Sequence, residues 1–415
     1  MSEYYDPTLL LSSSDNPFTM SIMVMLKEPV DGSLLAECVE ELRARFPYYY
    51  VRTKVKGNEV IVIPNPLPVK VRNTWAPVML NSEESNYHLM ALKYEGNRLA
   101  IEMSHPLSDG AGFLPYLKSI LFLYLSRKTG CEFNPSGFKL PGDDITAEET
   151  GDPFAHVDLD QVEGPFYQKK PVEDYFRLGT AGKGPSRVFY IKLPEKDVMR
   201  YCREKDGSPN VLMSVLLARA FRRLDPVSDM TINIGIAVDH KAMLGNYSNY
   251  RMFASVIDVD FPKSRADEDI TRMCTIARGQ IMLQAQPENS AWYIRNSKLG
   301  FEQMKPLPLA KKKEILSAAA SFSRWSAAVS YANSRSFGPL DPYIESFYAL
   351  AEPGAIDAVC EISCVNHMFY ISLTQGFSSD ELVRAFCDEL TEAGVAYERA
   401  GDEELALSGF KDFDI

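Results

Sequence analysis

Between Gly130 and Ser186 the chain changes character, and that break constrains its architecture more than any other stretch. Gly and Pro become frequent, and acids gather at Asp143, Asp144, Glu148, Glu149 and Asp152. Such punctuation ends regular structure. Phe154, Phe166, Tyr167, Tyr175 and Phe176 nevertheless give the segment too much apolar area for a free linker. It reads as a long crossover pinned to a surface, with strand and helix signals alternating on either side. That divides the chain into an N-terminal lobe over 1–130, a crossover over 131–186 and a C-terminal lobe over 187–415.

Before the crossover, Phe18–Leu26 is apolar and β-rich, and Asp31–Arg45 carries Leu34, Leu35, Cys38, Val39 and Leu42 at helical spacing. Gly57-Asn58 and Gly96-Asn97 each sit between two β-rich runs, a hairpin signal. Ala111–Arg127 follows as a helix. After the crossover, strands are expected at Arg187–Leu193, Thr231–Val238, Met252–Phe261, Ser326–Asn333, Ile344–Ala349, Ala358–Val365 and His367–Thr374. Helices are expected at Pro194–Glu204, Asn210–Leu224, Ala266–Gln286, Lys311–Ala320 and Ser378–Glu392, the last with Ser378 and Glu381 as a capping box. Both halves thus mix several strands with a few helices, an α/β (α+β) composition.

The net charge of −12 disfavours binding to nucleic acid, where affinity rests on basic side chains. No apolar run is long enough to span a bilayer, since the longest, near Leu114–Leu125, is broken by Lys118. The first residues carry no basic stretch followed by an apolar core, so no signal peptide is read there. With seven widely spaced cysteines, a reducing, cytoplasmic setting fits. Cys360 and Cys364 alone lie close together; they are either half a metal site or two buried small apolar residues. No other Cys or His pair sits at ligand spacing, so no metal is expected.

Histidine is the side chain best suited to moving a proton near neutral pH, and only five exist: His88, His105, His156, His240 and His367. His105 stands out. It ends a β-run and precedes Pro106 and then Asp109-Gly110, and both Pro and Gly disfavour a continuous helix. His105 and Asp109 therefore sit on a tight loop between a strand and a helix, a suitable mounting for a general base. His88 reads as a satisfied strand residue, His156 and His367 as surface residues. His240, beside Lys241, is a candidate for lining a cleft. Gly179–Gly184 lacks the spacing of a phosphate-binding loop. The methionines at 20, 23, 25, 243 and 252 are core filler or the lining of an adaptable apolar pocket. Lys311-Lys-Lys313 is a solvated helix start or a basic patch able to meet phosphate groups.

Met103-Ser-His-Pro-Leu-Ser-Asp-Gly110 resembles the His-x-x-x-Asp-Gly signature of the condensation-domain and chloramphenicol-acetyltransferase-like superfamily. Phe46-Pro-Tyr-Tyr-Tyr-Val-Arg52 resembles the stretch where the first helix of condensation domains meets the next strand. Gly245-Asn-Tyr-Ser-Asn249 resembles their later Gly-x-Phe-x-Asn segment, and Asp239-His-Lys241 stands where many relatives carry Asp-x-Arg. Two features depart from condensation domains: Ser104 replaces their extra histidine, and their later stretches find no match. The Asp-Phe-Gly-Trp-Gly stretch of plant acyltransferases is also missing. The stand-alone alcohol acyltransferase branch is the nearest resemblance.

The resemblance implies two related lobes in a V-shaped pseudo-dimer with a central tunnel. It implies acyl transfer from an acyl-CoA thioester to an alcohol, with His105 as general base and no acyl-enzyme, metal or resident cofactor. Asp109 becomes a structural acid with Lys241 as its partner, and Gly110 lets ligand approach the backbone. Ser330 and Asn333 are the expected tunnel-lining donors or else ordinary strand residues; Ser104 and His240 are further candidates for substrate contact. Acyl-CoA, or a phosphopantetheine thioester on an acyl carrier protein, is the implied co-substrate, and a monomer suffices. The competing readings are carrier-protein-dependent amide or ester condensation and a non-catalytic scaffold of the same fold.

Overall fold

A near-continuous apolar run suits a strand covered on both faces, and Thr19–Leu26 (β1) lies inside a sheet with a strand on each side. The computed structural model describes residues 5–155, 157–179, 184–241, 245–321, 324–332 and 336–413. Gly32–Glu41 (α1) starts where the Asp31 carboxylate accepts from Ser33 N and Leu34 N. The Gly57 turn joins Val51–Lys56 (β2) to Glu59–Pro64 (β3). Val71–Asn73 (β4), Met90–Glu95 (β5) and Arg98–Ser104 (β6) lead into Gly110–Thr129 (α2), which ends at Gly130 in the left-handed conformation. Beyond Ala147–Thr150 (α3) come Arg187–Pro194 (β7), Glu195–Glu204 (α4), Pro209–Leu224 (α5), Ile232–Asp239 (β8) and Ala254–Phe261 (β9). Ile270–Gln284 (α6), Pro287–Met304 (α7) and Leu309–Ser321 (α8) precede Ala327–Ala332 (β10), Ile344–Ala351 (β11), Ala358–Val365 (β12) and Met368–Gln375 (β13). Glu381–Glu392 (α9) and Glu398–Glu404 (β14) close the chain.

Two open sheets result, ordered β11-β1-β6-β5-β4 and β14-β7-β13-β12-β10-β8-β9, with β2-β3 apart. Each has its own buried apolar cluster. One surrounds α1, α2 and the first sheet; the other surrounds the second sheet with α5 and α9. Two segments of the expected C-terminal lobe over 187–415 lie instead with the first sheet. Strand β11 pairs with β1, and Phe410 and Phe413 enter the first cluster.

The reason for the first exchange is visible along β11. One edge bonds β1; the other would present bare carbonyls, which are costly when buried. Hydroxyls of the second sheet cap them. Tyr370 donates to Glu345 O at 2.7 Å, Ser363 to Phe347 O at 2.6 Å, and Thr374 to Ala351 O at 2.8 Å. Ser372 does the same for Ala349 O. The two sheets are thereby stitched together.

The crossover is pinned, though not by every aromatic expected. Arg45 and Glu149 form a buried bidentate pair at 2.8 Å, and Asn249 Nδ2 donates to Glu148 O and Gly151 O. Phe176 is buried and Phe154 packs on Phe253, but Phe166 and Tyr167 stay exposed. Other expectations shift. The last helix begins at Glu381, so Ser378 does not cap it; Ser379 Oγ accepts from Glu381 N at 3.3 Å. Helix α7 and strand β14 had no sequence signal. The first buries only Ser290, Ala291 and Ile294, and the second is an almost wholly exposed, charged edge strand.

Candidate active site

Strand β6 ends at Ser104, and His105–Leu107 forms a single tight turn before Asp109 caps α2. His105 N donates to Phe18 O at 2.8 Å, and Phe18 itself holds φ +50. On the ring, Nδ1 lies 3.2 Å from Ser108 O. A carbonyl only accepts, so Nδ1 carries the proton and Nε2 keeps its lone pair. His105 faces a cavity of about 490 Å3 between the two sheets.

Asp109 points elsewhere. Its Oδ1 accepts from Gly112 N at 2.7 Å and from Lys241 Nζ at 2.5 Å, and its Oδ2 accepts from Phe253 N at 3.0 Å. Both charged side chains are buried. The carboxylate thus ties the start of α2 to the segment after β8, and does not touch His105. The same clamp includes Ser108 Oγ donating to Tyr250 O at 2.7 Å and Tyr49 OH donating to Gly112 O at 2.9 Å.

Two glycines differ here. Gly110 lines the cavity, and a Cβ on it would meet nothing within 4 Å. A Cβ on Gly112 would stand 2.5 Å from Tyr250 O, so the close approach of α2 to the second lobe needs that glycine. In the sequence both glycines mark the loop and only Gly110 carries an expected role; the constraint on Gly112 comes from a residue far along the chain.

The other candidates separate. Ser330 lines the cavity directly across from Glu361, whose carboxyl its hydroxyl stabilises. Ser104 is fully buried, 3.5 Å from Ser12 Oγ, and is not among the lining residues. His240 is likewise absent from the lining. It is buried, with Nδ1 3.0 Å from Ser290 Oγ and its ring stacked on Tyr293, and burial lowers its pKa to about 4. Asn333, His156 and Met243 lie outside the described residues. His88 is buried with Nε2 2.8 Å from Leu67 O, and His367 is exposed beside Glu195. Met20 lines the cavity, whereas Met23 and Met25 line a separate cleft beside Arg98 and Tyr190. Cys360 and Cys364 are buried in the second apolar cluster. Lys311 pairs with Glu314, Lys312 donates to Asn58 O, and Lys313 lies 3.7 Å from Asp412. Among the described residues, no helix is long and apolar enough to cross a membrane.

Glu361 is the residue that sequence reasoning missed. It stands in Ala358–Val365 with apolar neighbours on most sides, and that isolation was the available signal. Burial raises its carboxyl above the ordinary value, and the Ser330 hydroxyl partly offsets this. Asp239, also lining the cavity, is raised by burial and drawn back by Lys241.

This architecture is the chloramphenicol-acetyltransferase-like fold of condensation domains. The sequence matches no protein-family model and no curated protein. Among solved structures, the chain is similar to TRI101 of F. sporotrichioides complexed with coenzyme A and T-2, with a TM-score of 0.61 and 13% identity over 95% of this chain and 97% of that one. It is similar to the condensation domain of the Monacolin K polyketide synthase MokA at TM-score 0.54 and 12% identity, covering 92% of each chain. The epimerization domain of tyrocidine synthetase B matches at TM-score 0.54 and 14% identity, covering 91% of this chain and 90% of that one.

Proposed function

We propose that this protein is an acyltransferase that moves an acyl group from acyl-CoA to the hydroxyl of an acceptor. The observation that carries this reading is the His105 ring: Nδ1 is held by Ser108 O, which leaves Nε2 as the basic nitrogen, and His105 lines a 490 Å3 cavity. Nε2 takes the acceptor's hydroxyl proton as its oxygen attacks the thioester carbonyl. The C–S bond then breaks, and the imidazolium returns the proton to the departing thiolate. No acyl-enzyme forms.

The tetrahedral intermediate needs hydrogen-bond donors. Ser330 is a weak candidate, because its hydroxyl is engaged with Glu361. Gly110 and Ala111 open α2 and line the cavity, and N–H groups in a helix's first turn have no intrahelical acceptor. They are the better donors to the oxyanion. Asp109 and Lys241 act as a clamp on the loop and are not a proton relay. Both sheets that wall the cavity come from one chain, so a monomer suffices.

Likeness to the coenzyme A-complexed TRI101 over nearly the whole chain supports coenzyme A as the thiol carrier. Likeness to condensation domains supports a second reading, in which the thioester arrives on a carrier protein. One experiment tests both: free-thiol release from acyl-CoAs and from acylated carrier protein, with mixed alcohols and amines, for wild type and His105→Ala. Loss of a general base costs about 10²–10⁴ in rate. Acceptor-stimulated release that survives unchanged in His105→Ala would defeat the mechanism.

A further inference from the structure

Among the described residues, the cavity sets the Glu361 carboxyl where no cationic side chain lines the wall. Glu361 lies near the middle of β12, directly across from Ser330 on β10 and Ser372 on β13. The Ser372 hydroxyl is spent on Ala349 O, which leaves Ser330 as the carboxyl's neighbour from the flanking strands. The cavity's lining includes the small apolar Ala237, Ala254, Ala349 and Ala351, together with Ile22 and Phe347. Asp239 adds a second carboxylate. Among the described residues, no Lys or Arg lines the cavity, and Lys241 is committed to Asp109. A carboxylate walled by apolar groups is costly unless a cation or donors meet it. A neutral acceptor would desolvate Glu361 without compensation.

We propose that Glu361 selects an acceptor carrying an ammonium group on an apolar body, with the reacting hydroxyl at the His105 end. An amino alcohol of this kind brings the missing cation, and the small side chains of the lining leave room for it. This deepens the acyl-transfer reading. The statement about which end reacts rests on that reading; the statement about binding does not.

The test uses isosteric pairs, a hydroxyaryl-alkylamine and the analogue with a methyl group in place of its ammonium. Their binding to the full-length protein is measured by calorimetry, and their use as acceptors by thiol release from acetyl-CoA. In wild type the cationic member binds at least about ten-fold tighter, a difference of one charge-assisted contact. In Glu361→Gln that ratio falls to near one, while Glu361→Asp, which keeps the charge, retains a preference. A ratio of one in wild type overturns the proposal. So does a Glu361→Gln variant that weakens both members equally, the mark of a merely structural role, or no cation binding in wild type up to about 10 mM. Cation preference in binding without any thiol release sinks the transferase reading and leaves this one standing. Transfer to alcohols with no cation preference does the reverse.

Discussion

The buried pair of Asp109 and Lys241 gives the sharpest energetic prediction. Their side chains are 5% and 3% exposed and meet at 2.5 Å, and the carboxylate also takes Gly112 N and Phe253 N. Lys241→Met leaves that carboxylate buried with only its backbone donors. Asp109→Asn leaves the ammonium buried with its main counter-charge gone. Breaking a buried pair from one side costs about 3–5 kcal/mol. The double variant leaves neither charge. Asn caps a helix about as well as Asp, so Gly112 N stays satisfied. What remains is one mismatch, the amide of Asn facing Phe253 N, worth about 1–3 kcal/mol. The double variant is therefore expected to lose far less than the sum of the singles. Urea unfolding of the four proteins, followed by circular dichroism, supplies the cycle. Additive losses would refute the clamp. Activity gives an independent reading, since each single variant displaces the loop that carries His105 and lowers kcat.

Two further outcomes follow from the same neighbourhood. Gly112→Ala places a Cβ 2.5 Å from a backbone oxygen, and overpacking of that kind costs about 1–3 kcal/mol, against a gain of about 1 kcal/mol in helix propensity. Gly110→Ala meets nothing within 4 Å and keeps its stability; a Gly112→Ala protein as stable as Gly110→Ala in thermal melts would contradict the packing. His240 is buried neutral with a pKa of about 4, against about 6.5 in the unfolded chain. Between those values the unfolded state binds the extra proton, so stability falls as pH drops from about 6.5 to 4, by up to roughly 3 kcal/mol from this group. The stability difference between wild type and His240→Gln, measured in urea at pH 7 and pH 4, shrinks by that amount; a constant difference would show that His240 is not held neutral.

Much of this protein was legible in its sequence because the signals are local. Near-neighbour spacing marks α1, α2 and α5. Two residues at φ +53 and +59, Asn366 and His367, form the turn expected between β12 and β13. A Pro and a Gly four residues apart fix the loop that carries His105. Where local pattern was weak, elements were missed: α7 has little apolar face, and β14 is a row of charges whose strand character comes from pairing with β7.

Tertiary structure alone decided how these parts meet. Lys241 reaches Asp109 across 132 residues, and Gly112 matters because Tyr250 O is next to it. Strand β11 joins the first sheet because β1 takes one of its edges and four hydroxyls of the second sheet take the other. Glu361 became a cavity residue because β12 sets it beside Ser330 in a lining that both sheets contribute. Spacing along a chain records which face a residue occupies. It holds no record of what another segment brings against that face, and the charge balance of the cavity depends on that.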